Sequence, residues 1–370
     1  MKYYIIAGEA SGDLHGANLI KALKIEDASA DFRFWGGDLM TEEAGEPVKH
    51  YRDLAFMGFA EVIMNLRTIL GNISFCKKDI LAAKPDVLVL IDYPGFNLRI
   101  AEFAKQNGIK VYYYISPQIW AWKESRIKQI KKNVDKMFVI LPFEKDFYKK
   151  HNFEVDFVGH PLIDAVNSYD RIEDENFRKE FGLDERPIVA ILPGSRKQEI
   201  RKSLPLMLSV KEYFNDYQFI IAGAPSLGTN YYQQFIKDEQ VKLISNRTYD
   251  LLQHSQAALV TSGTATLETA LFKVPEIVCY KANFISYYIG KKLIKIDYIS
   301  LVNLIMDSEV VTELIQEEFN TERLTSELKG ILSPKGRTEM LNNFDKLISI
   351  LGGAGASEKT AQLIVKYLNE

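Results

Sequence analysis

The chain has 370 residues, 47% hydrophobic and 26% charged, enough apolar material for two cores, which excludes a disordered or fibrous protein. A net charge of −3 excludes a general pull toward nucleic acid, so an anionic partner has to be held by a local arrangement. The longest apolar runs are of strand length, far below the ~20 residues that span a bilayer, and the chain opens on one of them with no basic and apolar leader, so a cytoplasmic protein is expected.

Residues 3–7 form the first apolar run, and Gly8-Glu9-Ala10-Ser11-Gly12-Asp13-Leu14-His15-Gly16 then turns into a helix. This is the outline of a phosphate loop, yet Glu9 and Asp13 stand where a pyrophosphate would meet backbone N–H groups, and like charges repel at that range. The loop therefore suits a hydroxyl or a proton. Further strand-like runs follow at 32–35, 87–91, 111–115, 137–141 and 155–158, with helix-period segments such as 98–106 and 125–133 between them. That alternation predicts a parallel, doubly wound α/β sheet. Asp92, at the end of the run 87–91, reads either as a base or its orienter, or as the N-cap of the next helix. Ser116-Pro117-Gln118-Ile119-Trp120-Ala121-Trp122 reads as a sugar or acyl platform, or as core packing.

Gly159-His160-Pro161 ends the first set of strands, and a polar stretch over 167–186 leads into a second set at 188–192, 218–222, 242–244, 258–260 and 277–280. Two Rossmann-like domains are expected, over 1–165 and 166–345, facing each other across a cleft with one ligand from each side. After residue 305 the pattern reads as helical to the end, and the segment 346–370 is a final helix that packs on the first domain or on a partner subunit.

In the second half, Leu192-Pro193-Gly194-Ser195-Arg196 and Ser262-Gly263-Thr264-Ala265-Thr266-Leu267-Glu268 both leave strands. Alone, one is an ordinary basic turn or the other a helix cap. Together, small residues, hydroxyls, a guanidinium fork and no carboxylate in the cradle point to a nucleotide diphosphate, with Glu268 one turn in to accept from a ribose. Two stretches, 56–75 and 284–298, mix apolar and aromatic residues with few charges or with Lys, and read as membrane-surface contacts or as core faces. Cys76 and Cys279 read as buried thiols, and neither the Cys nor the scattered His residues form a metal site.

These loops, with Gly36-Gly37-Asp38-Leu39-Met40, Met57-Gly58-Phe59-Ala60-Glu61-Val62, Leu141-Pro142-Phe143-Glu144 and Gly159-His160-Pro161, resemble the lipid-A-disaccharide synthase family over nearly the whole chain. The resemblance implies a glycosyltransferase of the GT-B architecture. It implies transfer from UDP-2,3-diacylglucosamine to the 6-hydroxyl of 2,3-diacylglucosamine 1-phosphate, giving a β(1→6) disaccharide and UDP. It also implies no cofactor or metal, peripheral association with the inner face of the inner membrane, and a possible homodimer. By this resemblance the first domain binds the acceptor and the second the UDP-sugar. Glu9 or Asp92 is base or base-orienter with Asp13 in support, and Arg196 clamps the leaving group with the helix that starts near Thr264. Ser11, Gly12, Ser195, Gly223, Ser262, Gly263, Thr266 and Glu268 are expected to contact substrate, and Asn303 matches a position facing the cleft. The family often carries Pro-Asp-Phe-Asn where this chain has Pro94-Gly95-Phe96-Asn97, so a carboxylate considered for catalysis is absent. The competing readings are a UDP-N-acetylglucosamine 2-epimerase and a non-catalytic sugar-nucleotide binder.

Overall fold

A computed structural model describes residues 1–53, 66–224, 227–282 and 296–370. Two compact units make up the chain, Met1–Pro161 with Leu351–Glu370, and Leu162–Ile350. Continuous apolar runs become buried parallel strands because such strands are covered on both faces. In the first unit they are β1 (Lys2–Ala7), β2 (Asp31–Gly36), β3 (Lys49–His50), β4 (Val87–Ile91), β5 (Lys110–Tyr114), β6 (Lys136–Val139) and β7 (Asp156–Phe157), in the order β3-β2-β1-β4-β5-β6-β7. Alternate residues feed opposite cores: Tyr4, Ile6, Leu88 and Leu90 on one face, Tyr3, Ile5, Val87 and Val89 on the other. The final helix, Ala356–Asn369, covers the second face with Ala361 and Ile364, and Tyr367 Oη donates to Asp156 at 3.0 Å.

The order reverses between β1 and β4, which is where an open α/β sheet leaves a crevice for a ligand. Ala7 and Ile91 are paired, so the loops that follow, with Glu9 and Asp92, leave the sheet side by side.

The second unit repeats the plan with β8 (Ile188–Leu192), β9 (Gln218–Gly223), β10 (Lys242–Ser245), β11 (Ser255–Thr261), β12 (Glu276–Tyr280) and β13 (Glu313–Ile315), ordered β10-β9-β8-β11-β12-β13. Its switch point lies between β8 and β11, the two strands that precede the loops at Ser195 and Ser262. β13 corrects the expectation of helix from residue 305 onward, and β3 adds a strand that the sequence does not announce. Strands of two or three residues are too short to display a period of two. Cys76 and Cys279 are both buried thiols. Of the two stretches read as membrane contacts, 56–75 and 284–298, residues 56–65 and 284–295 lie outside the described residues.

Glu276 opens β12 fully buried, and neither carboxylate oxygen has a hydrogen-bond partner among the described residues. Burial pushes its carboxyl well above the usual range. The fold therefore favours the protonated form, and stability falls as pH rises above the unfolded value, by up to about 1.4 kcal/mol per pH unit. Glu276→Gln is expected to unfold at a higher temperature than the parent at pH 8, with the gap closing toward pH 5. Thermal unfolding at the two pH values checks this.

Candidate active site

At the switch point of the first unit the chain is held in a tight, strained geometry. The Tyr93 ring lies where a Cβ on Gly8 would sit, so the loop after β1 passes against the loop after β4 only as glycine. Glu9 is half-buried and extended, φ −147° and ψ 165°, and precedes the helix Ala10–Glu26 without capping it through its side chain. Asp92 and Tyr93 are both left-handed, φ 42° and 47°, a conformation that costs a non-glycine residue about 1–2 kcal/mol. The surroundings enforce it: Asn97 Nδ2 donates to the carbonyls of Ile91 (3.2 Å) and Asp92 (2.8 Å), and Tyr113 Oη donates to Asp92 O at 2.5 Å. Tyr93, not Asp92, is the N-cap of the helix Pro94–Gln106, so the capping alternative for Asp92 falls away. Burial, then the charge of Glu9, raises the Asp92 carboxyl to about 6, against a hydrogen bond from the Tyr93 N–H. A carboxylate tuned in this way can take a proton near neutrality.

Asp13 does something else. Its carboxylate is 3% exposed and accepts the N–H groups of Gly37 (2.6 Å), Leu39 (3.1 Å) and Met40 (3.2 Å), capping the helix Asp38–Ala44 from a neighbouring helix. Asp13 therefore has a structural role, its carboxylate taken up by three backbone donors. Asp13→Ala leaves those donors without a partner and should cost about 3 kcal/mol, read from urea unfolding. Ser11 is exposed and Gly12 buried in the same turn.

The first unit also holds a polar brace that the sequence does not single out beyond its motif. Glu144, 1% exposed, accepts Leu141 N–H (3.0 Å) and Trp120 Nε1–H (3.3 Å), and burial lifts its carboxyl to about 7. Ser116 Oγ and Tyr148 Oη share a hydrogen bond of 2.6 Å. Trp120, set edge-on to Phe143 at 4.8 Å, is thus anchored at one end of the loop read as a platform.

In the second unit a cavity of about 370 Å³ opens where the loops after β8 and β11 meet, lined by Ser195, Arg196, Ser262, Gly263, Thr264 and Glu268 among others. Gly194 has φ 101°, and a side chain there would meet Glu199 Oε2 at 2.7 Å, so only glycine closes this turn. Glu199 Oε2 accepts the Arg196 N–H at 3.3 Å, while the guanidinium stays 69% exposed with Glu199 Oε1 at 3.5 Å. The helix Thr264–Leu271 starts at the cavity, where its unpaired N–H groups favour an anion. Ser262 Oγ donates to Ile299 O at 2.8 Å, and Tyr249 Oη donates to Glu268 Oε1 at 3.2 Å.

Three residues expected to contact substrate have partners within the protein or lie off the cavity. Thr266 is fully buried with its hydroxyl on Gly263 O at 2.9 Å. Gly223 does not line the cavity; it is buried at the end of β9, where a Cβ would meet Ser245 Oγ at 2.6 Å. Asn303 is buried rather than open to a ligand: Nδ2 donates to Val311 O (2.8 Å) and Glu313 Oε1 (2.9 Å), and Oδ1 accepts Val310 and Val311 N–H (2.8 and 3.0 Å). With its amide saturated, Asn303 instead braces the cradle through Glu313, which accepts the N–H groups of Ile299 and Ser300, each at 2.9 Å.

Two parallel sheets of this order, one with a tuned carboxylate at its switch point and one with a cavity of hydroxyls, a guanidinium and a helix start, edged by Glu199 and Glu268, define the class of two-domain sugar-nucleotide enzymes with the GT-B fold. Solved structures agree on the fold: a UDP co-structure of Staphylococcus aureus MnaA superimposes with TM-score 0.71 at 14% identity over 100% of this chain and 97% of that one. The UDP-GlcNAc 2-epimerase of Neisseria meningitidis bound to UDP-GlcNAc superimposes with TM-score 0.67 at 14% identity over 100% of both. At that identity the likeness speaks for architecture alone.

The family is narrower than the fold. A family model described as lipid-A-disaccharide synthetase matches residues 3–365. The lipid-A-disaccharide synthase of Syntrophus aciditrophicus is 42% identical over 99% of this chain and 97% of its own, and that of Coxiella burnetii 39% identical over 95% and 92%. The chain belongs to the lipid-A-disaccharide synthase family.

Proposed function

We propose that the chain, a hexosyltransferase by its family, moves the 2,3-diacylglucosaminyl group of UDP-2,3-diacylglucosamine to the 6-hydroxyl of 2,3-diacylglucosamine 1-phosphate. The acceptor oxygen attacks the anomeric carbon and its proton passes to Asp92. The bond from that carbon to the diphosphate oxygen breaks, UDP leaves with the electron pair, and the linkage inverts to β(1→6). Arg196 and the N–H groups at the start of Thr264–Leu271 offset the charge that develops on the diphosphate, and Glu268 accepts from the ribose. Glu9 is not the base in this scheme; its charge keeps the Asp92 carboxyl basic enough to work.

One observation carries the reading: the ionisable pair Glu9 and Asp92 belongs to one unit, and the cavity with Arg196 and the helix start at Thr264 to the other. A nucleotide-binding protein without chemistry would have no use for the strained turn at Asp92. The epimerases share the fold at 14% identity, whereas the synthase relatives reach 42%. Membrane contact is supported by the helix Leu66–Ala83, on which Leu70 and Phe75 are 52% and 47% exposed, since both substrates carry acyl chains.

The pH profile tests the division of roles. Activity should rise with pH through about 6 as Asp92 ionises. Glu9→Gln should move that limb to lower pH, because a like charge is removed. An unmoved limb would remove Glu9 from the scheme.

A further inference from the structure

A second groove of about 530 Å³ lies on the surface of the second unit, between the helices Lys197–Leu208 and Thr229–Gln233, lined by Lys197, Gln198, Arg201, Lys202, Tyr231 and Gln234. It does not share a lining residue with the cavity assigned to UDP. Three of its six lining side chains are cations, no carboxylate lines it, and none of the three is in an ion pair among the described residues. Glu199, the acid in the same turn of the helix, is engaged with Arg196 instead. Lys197 and Arg201 stand one helical turn apart, as do Gln198 and Lys202, so like charges line one flank and repel each other. Near the start of a helix such charges also oppose the macrodipole. An anion in the groove relieves both costs.

The opposite wall is Tyr231. Its hydroxyl donates to Lys197 O at 2.8 Å and its ring faces Lys197 Nζ at 5.6 Å, so the aromatic fixes the lysine at the rim. Two of the three cations are lysines, flexible point charges, and the lining is mostly exposed, with an amphipathic ring. Such a lining has the character of a surface that meets many headgroups, unlike the forked, buried donors that select one free anion.

We propose that this groove seats the phosphate of an anionic phospholipid and so orients the second unit at a membrane surface. The proposal rests on the reading that the enzyme draws acylated substrates from a membrane. Each cation near an anionic surface is worth about fivefold in partition, so the three together are worth about a hundredfold.

Co-sedimentation of the full chain with vesicles of phosphatidylcholine alone and of phosphatidylcholine mixed with phosphatidylglycerol tests it. The parent should bind the mixed vesicles more tightly, and Lys197→Gln/Arg201→Gln/Lys202→Gln should lose about a hundredfold of that difference. The triple Glu variant should lose more, because repulsion is added, and agreement of the two in direction guards against a folding defect in either. Undiminished preference in both variants, or equal binding of the parent to both vesicles, overturns the proposal. So does displacement of the parent from mixed vesicles by inorganic phosphate at constant ionic strength, because the groove would then be a site for the free anion. Turnover of short-chain, soluble substrate analogues is read in parallel. Its persistence in the variants separates the groove from the transferase reading, and its absence in the parent would count against that reading alone.

Discussion

Asp92→Asn is expected to lower kcat by about 10³-fold, within the range that a positioned general base contributes, while UDP affinity changes by less than about twofold. The substitution is a clean one. Asn tolerates the left-handed backbone at φ 42° as well as any residue but glycine, and it keeps the size of Asp. It also removes an ionisable group whose folded value, about 6, lies above the ordinary 3.8. A carboxyl raised on folding costs stability at every pH above its unfolded value, and the cost grows until the folded value is passed. The variant should therefore melt a few degrees above the parent at pH 8 and equal to it near pH 3. Greater stability with lost turnover is the signature of a residue kept for chemistry. A variant that is less stable and still active would make Asp92 a structural residue.

Arg196→Ala is expected to reduce kcat/KM by about 10²-fold to 10³-fold and to weaken UDP binding with it, since the same guanidinium meets the diphosphate in the bound and the leaving state. In the ligand-free protein the side chain is 69% exposed and meets Glu199 at 3.5 Å, a surface pair of little energetic weight. Stability should thus be unaffected, and urea unfolding separates the two effects. Arg196→Lys keeps the charge and loses the fork, so partial recovery measures how much of the clamp is bidentate.

The parts of this fold that are legible in the sequence are those with an internal signal. β1, β4 and β8 are unbroken apolar runs because both faces are covered, and they are found within a residue of their ends. The loops after β8 and β11 stand out because small residues and hydroxyls right after a strand are local features, and both line one cavity. What stays hidden depends on partners distant in the chain. Asp13 looks like a member of the first loop until Gly37, 24 residues on, is seen to donate to it. Asn303 looks available until β13, a strand too short to announce itself, is seen to hold Glu313 beside it. The pairing of Glu9 with Asp92 follows from strand order, which a single sequence does not state. Gly95, the position where the family often has an acid, is exposed with open space around it, so packing does not forbid an acid there. The proposal places the chemistry at the neighbouring turn, on Asp92.

The most direct test of the account is the release of UDP by the purified protein given UDP-2,3-diacylglucosamine and 2,3-diacylglucosamine 1-phosphate, separately and together. UDP should appear only when both are present, in step with a β(1→6) disaccharide 1-phosphate. Release of UDP from the donor alone, or its epimerisation without an acceptor, would contradict the transferase reading.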